Sequence, residues 1–178
     1  MYNNIPKPNP SRTYPYLDFE RVSKKQYLVD IKKGGFTSYI DYDELIIPTR
    51  KTMYSAGYDI YTPVHIQMDA GERTLIPTGL KVKCEVAGSY LGIYIRSSIA
   101  INYGLMLTNN KAIIDADYYN NPDNEGHIMI PLINMSDETV NIPMGTRIAQ
   151  GIFESYMIID NDNVTGVRKG GMGSTGTK

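Results

Sequence analysis

Beyond Ile46 the apolar residues of this chain recur mostly at every second position, in short runs parted by turn-forming residues. Successive side chains of a strand point to opposite faces, so a period of two marks half-buried strands and leaves little room for helices. Val64 to Met68 alternates, Asp69-Ala70-Gly71-Glu72 turns, and Arg73 to Ile76 and Leu80 to Val86 alternate again. Tyr90 to Ile95, Gly104 to Leu107, Ile128 to Ile133, Val140 to Ile142 and Ile148 to Phe153 continue the series, with no internal repeat. Short strands with frequent turns predict an all-β sandwich or barrel. At 178 residues the chain fits one domain with a full core.

The ends differ from the middle. Residues 1–45 are rich in Pro, Lys and Tyr and are expected as a partly irregular N-terminal extension. Within it Met1 to about Pro15 forms an arm, and Asp18 to Asp30 fits a strand or a short helix equally well. The barrel is expected over 46–167. The stretch 168–178 is nearly all Gly, Ser, Thr and Lys after Lys169 and is expected as a flexible arm.

Composition excludes several classes of function. A formal net charge of −1 argues against a nucleic-acid partner. Cys84 is the only cysteine, which rules out an intrachain disulfide and a cysteine zinc site, and its alternating surroundings suggest a small buried hydrophobe. His65 and His127 stand far apart with no partner at metal-ligand spacing. No Ser/His/Asp order or nucleophile elbow supports covalent catalysis. The N-terminus lacks the apolar core of a signal peptide, and no apolar run approaches bilayer-spanning length. A cytoplasmic protein without a membrane partner is expected.

Five segments depart from plain β scaffolding. Ala112-Ile113-Ile114-Asp115-Ala116-Asp117-Tyr118 ends an apolar run in two carboxylates two residues apart, which a strand or tight hairpin would place on one face. A carboxylate against an apolar wall can act as a general base, and an acidic turn is the plainer alternative. The preceding Asn109-Asn110 fits a hairpin turn whose backbone groups could read a base edge. Ala56-Gly57-Tyr58-Asp59-Ile60 opens a strand with a glycine and an acid, or forms a bulge with a solvated Asp. Arg96-Ser97-Ser98 at a strand end offers donors to phosphate oxygens, or forms an ordinary polar loop. Gly145 to Gln150 leads into an apolar strand, and Arg168 to Gly176 combines cations, exposed backbone N–H groups and hydroxyls that suit a polyphosphate. Phosphate donors without His or Cys ligands favour Mg²⁺ held mainly by substrate oxygens.

In their order along the chain, from Ala56 to Gly176, the five segments resemble those of the trimeric dUTPases (deoxyuridine 5′-triphosphate nucleotidohydrolases), in the form found in some Gram-positive bacteria and their phages. The resemblance runs from about Pro48 to Lys178. It implies a distorted jelly-roll-like β-barrel in a homotrimer with shared sites and C-terminal arm exchange. It implies hydrolysis of dUTP to dUMP and pyrophosphate with Mg²⁺, limiting uracil in DNA and supplying dUMP for dTMP synthesis. Asp115 would be the base that activates water, and Tyr118 would pack under the deoxyribose and crowd a 2′-hydroxyl. Asn109, Ala112, Ile114 and Met172 would frame the base and sugar, and Asp59 would arrange metal-bound waters. Arg96, Ser97, Ser98, Gln150, Arg168, Lys169, Gly173, Ser174 and Thr175 would hold the phosphates.

Three departures stand out. Met172 replaces the usual lid phenylalanine, Ala112 replaces a glycine, and Tyr119 to Glu125 lengthens the turn after Tyr118. Two alternatives remain. A dCTP deaminase shares the fold but needs a glutamate three residues before an asparagine, where this chain has Pro131 before Asn134. A noncatalytic nucleotide-binding or regulatory β-barrel is the other.

Overall fold

Alternating apolar residues fold into eleven strands in a computed structural model that describes residues 16–171. In chain order they are β1 (Leu17–Arg21), β2 (Tyr58–Tyr61), β3 (Ile66–Met68), β4 (Arg73–Pro77), β5 (Leu80–Cys84) and β6 (Ser89–Ile95). After them come β7 (Leu105–Leu107), β8 (Ala112–Ile114), β9 (Met129–Asn134), β10 (Val140–Ile142) and β11 (Arg147–Ser155). Two helices interrupt the series, α1 (Lys24–Lys33) and α2 (Ser97–Tyr103).

The strands pair antiparallel in four small sheets, ordered β2-β11-β6-β8, β4-β9-β7, β1-β5 and β3-β10. Their inward residues meet in one core, to which β5 gives Leu80 and Val82, β6 Leu91 and Ile93, and β9 Ile130 and Leu132. Cys84 is free and buried beside Ser89, as its place in the alternation predicted. Pro131 sits on the central strand β9, where its missing N–H falls beyond the end of β7 and its carbonyl accepts from Thr108 N–H at 3.0 Å.

The segment that fitted a strand or a helix contains both. β1 pairs with β5, Leu17 opposite Cys84, and Ser23 then caps α1 by accepting from Gln26 N–H at 3.1 Å. Phe19, Val22, Tyr27 and Ile31 carry this N-terminal region into the common core. α2 replaces the polar loop expected after Arg96. Only Ile99 of that helix is buried, so its sequence carries almost no helical period to detect.

The expected Asn-Asn hairpin is a corner instead. The turn is present, with Asn110 at φ 62° and its N–H on Leu107 O at 3.1 Å. The strands on either side diverge, however, since β7 pairs with β9 and β8 with β6. Among the described residues no helix is long and apolar enough to cross a membrane.

Candidate active site

β8 is the last strand of its sheet and, among the described residues, pairs with β6 alone. Its second edge thus presents backbone N–H and C=O groups that no strand covers. Ala112 and Ile114 turn their side chains into the core and Ile113 points out, so the first two can meet a ligand only through their backbone. Asn109 is exposed on the turn before this strand, its carbonyl accepting from Lys111 N–H at 2.6 Å.

Past Ile114 the chain enters a 3₁₀ turn, Ala116–Tyr118, with Asp115 at its head. Asp115 and Asp117 share a face as their spacing suggested, although a turn rather than a strand brings them together. Arg168 donates through Nη2 to Asp115 Oδ2 at 2.7 Å and through Nε to Asp117 Oδ1 at 2.9 Å. Its guanidinium also lies over the Tyr118 ring, 5.6 Å from the centroid. Tyr118 is buried, which raises its hydroxyl pKa against the hydrogen bond it accepts from Asn124 Nδ2 at 2.7 Å. The same hydroxyl donates to the His127 carbonyl at 3.1 Å.

A second cluster surrounds Asp59 on β2. This carboxylate is buried, accepts from Arg147 Nη1 at 2.9 Å and forms an ion pair with Arg96, whose Nε lies 3.1 Å from Oδ1. Gln150 stands opposite Asp59 in the β2–β11 register. Strict alternation would put Arg147 and Gln150 on opposite faces of β11. A bulge between Arg147 and Ala149 inserts one residue and restores them to the same side. Gly57 has no room for a side chain, because a Cβ there would collide with the Gln150 side chain. Arg96 leads into α2, anchored by its N–H on Ile148 O at 3.1 Å, and Ser97 and Ser98 open that helix exposed to solvent.

The described arm residues, 168–171, lie on the first cluster rather than the second. Arg168 binds the two aspartates of its own chain, and exposed Lys169 lines the same cleft, of about 720 Å³. Gly171 N–H donates to Asp123 Oδ2 at 2.7 Å. Met172, Gly173, Ser174 and Thr175 lie outside the described residues.

The clusters occupy opposite ends of β6. Leu91 pairs with Ile114, just ahead of Asp115, whereas Ile95 pairs with Ala149 beside Gln150 and is followed by Arg96. Four residues of strand span roughly 13 Å, and the width of the four-stranded sheet separates Asp59 from Asp115 as well. One chain therefore does not bring both to a single phosphorus atom.

The dUTPase family model matches residues 43–177. The chain belongs to the dUTPase family. The deoxyuridine 5′-triphosphate nucleotidohydrolase of Lactococcus lactis is 47% identical over 132 residues, covering 73% of this chain and 87% of that protein. The crystal structure of the Streptococcus mutans dUTPase superposes with a TM-score of 0.66 at 37% identity, covering 81% of this chain and 99% of that one. The dUTPase of Staphylococcus aureus phage phi11 shares the fold at 18% identity, with a TM-score of 0.61 over 85% of this chain and 97% of that one. The architecture is thus the distorted jelly-roll-like barrel of the dUTPases.

Arg147, which the sequence pattern did not single out, joins the Asp59 cluster because the bulge turns it to that side. Among the described residues no three His, Cys, Asp or Glu side chains converge on a metal position. Asp59 offers one carboxylate, and it already serves two guanidinium groups.

Proposed function

We propose that this dUTPase-family chain hydrolyses dUTP to dUMP and pyrophosphate by attack of water on the α-phosphorus. The observation that carries the reading is the pairing of a solvent-reachable carboxylate, Asp115, with an uncovered strand edge, in a chain that also holds a two-arginine cluster around Asp59. Uracil presents a donor flanked by acceptors, which suits backbone groups of β8 and the Asn109 turn. The deoxyribose would lie on the Tyr118 ring once Arg168 moves aside. Asp115 would then orient the water and take its proton, while Arg96, Arg147, Ser97, Ser98 and Gln150 stabilise charge on the phosphoryl oxygens. Mg²⁺, when bound, would rest on substrate oxygens and on waters ordered by Asp59, and would neutralise phosphate charge. Residues 168–178 would serve as the arm that wraps the phosphates, with Arg168 exchanging its aspartates for the nucleotide.

The same reading calls for a homotrimer with shared sites. Because Asp115 and the Asp59 cluster sit at opposite ends of β6, each complete site must take one half from another copy. Pro131 cannot shuttle a proton at the deaminase glutamate position, which leaves hydrolysis. A free nucleotide substrate places the work in the cytoplasm, where it would limit uracil in DNA and supply dUMP. Pyrophosphate release from dUTP with Mg²⁺ tests the proposal, and its absence from wild-type protein overturns it.

A further inference from the structure

Asp30 and His127 form a buried polar pair that the proposed chemistry does not use. His127 is fully buried, and Asp30 lies on the inner face of α1. Gly79 N–H donates to His127 Nε2 at 2.7 Å, so the ring proton sits on Nδ1 and is donated to Asp30 Oδ2 at 2.6 Å. Gln26 Nε2 donates to the same carboxylate oxygen at 2.8 Å. Burying such a pair costs desolvation that an apolar contact would avoid, so its value lies in fixing geometry.

What it fixes is the surroundings of Tyr118. The His127 carbonyl accepts from the Tyr118 hydroxyl, and His127 N–H donates to the carbonyl of Asn124, whose side chain donates to that same hydroxyl. Both contacts on the hydroxyl therefore hang from the short loop that His127 closes. The N-terminal region holds this loop at two further points. Glu125 accepts from Ser23 N–H at 2.8 Å and from Ser23 Oγ at 2.6 Å, and Tyr119 donates to Glu20 at 2.7 Å. Glu125 keeps a left-handed backbone at φ 59°, a conformation that persists in a non-glycine residue only when the surroundings impose it.

We propose that the Asp30–His127 pair is a positioning device for Tyr118, through which α1 sets the preference for deoxyribose over ribose. The inference rests on the function proposed above. α1 precedes the family match, which begins at residue 43, so the Asp30 half of the pair lies outside the matched segment and the His127 half within it. A ring that gauges a 2′-hydroxyl must not yield, and slack on the order of 1 Å is enough to relax such discrimination.

The test compares kcat/KM for dUTP and UTP. Asp30→Ala is expected to lower the dUTP:UTP ratio about tenfold or more, while Asp30→Asn, whose amide oxygen still accepts from Nδ1, restores it. In a Tyr118→Phe background, Asp30→Ala should change the ratio no further, since the hydroxyl it positions is gone. A purely structural role would instead depress both substrates equally in both backgrounds. A folded Asp30→Ala protein with the wild-type ratio overturns the proposal. If Asp30→Ala fails to fold, exposed Ser23→Ala loosens the same loop, and an unchanged ratio there counts equally against it. Should wild type hydrolyse neither nucleotide, the proposed function falls, and the ratio of Kd for dUpNHpp and UpNHpp in the same variants still decides the positioning role.

Discussion

A single guanidinium bridges both aspartates of the 112–118 segment, and it comes from the same chain. Arg168 holds Asp115 Oδ2, and the proposed mechanism has it leave before Asp115 acts as base. Replacing Asp115 by Asn is expected to keep dUTP affinity while kcat falls on the order of 10²- to 10⁴-fold, read from pyrophosphate release beside equilibrium binding. Near-normal turnover would remove Asp115 from the mechanism. A separate residue cluster pins the strand that leads there. Lys111 donates to Glu154 Oε2 at 2.6 Å, and Tyr90 and Tyr94 add hydroxyl bonds at 2.8 and 2.5 Å. The Lys111 bond comes first among the causes that hold the Glu154 pKa down, from 4.5 to about 2, while Lys111 is held above its usual value. A folded-state pKa below the unfolded one gives stability that is complete above pH 4.5 and lost as pH falls toward 2. Glu154→Gln should accordingly melt below wild type at pH 7, with the gap in Tm closing across that window.

At the scale of elements, β11 matters through its irregularity. The bulge after Arg147 aims Arg147 and Gln150 at the same side as Asp59, and Gly57 leaves the space that Gln150 fills. Gly57→Ala should leave the strand folded, because the collision is with a side chain, yet displace Gln150. The expected loss in kcat/KM reaches on the order of 10²-fold, with circular dichroism unchanged. Full activity in that variant would dissociate Gln150 from the phosphates. α1 contributes by burial. Tyr27 is fully buried and donates to Ile40 O at 2.8 Å, so Tyr27→Ala should cost about 3–5 kcal/mol in denaturant unfolding. A cost below about 1 kcal/mol would mean that α1 docks without supporting the core.

At the scale of the whole molecule, the two clusters stand at opposite ends of β6, and the proposed shared site predicts that copies complement one another. Mixing Asp115→Asn with Arg147→Ala subunits, each inactive alone, should restore about a quarter of wild-type activity, because each half of a site is drawn independently. No recovery after co-refolding would place the whole site in one chain. Much of this architecture was legible in the residues. Alternation determined the strands, since a pleated strand must separate its faces at every second residue, and the ordered segments from Ala56 onward determined the family. α2 was not legible because one buried residue makes no periodic signal. Nor was the partnership of Asp30 and His127, which lie 97 residues apart and meet only when α1 packs over the loop after Tyr118. Local pattern follows from backbone geometry and is written along the chain. Which side chains converge depends on register, on a one-residue bulge and on the packing of distant elements, and those the tertiary structure alone decided.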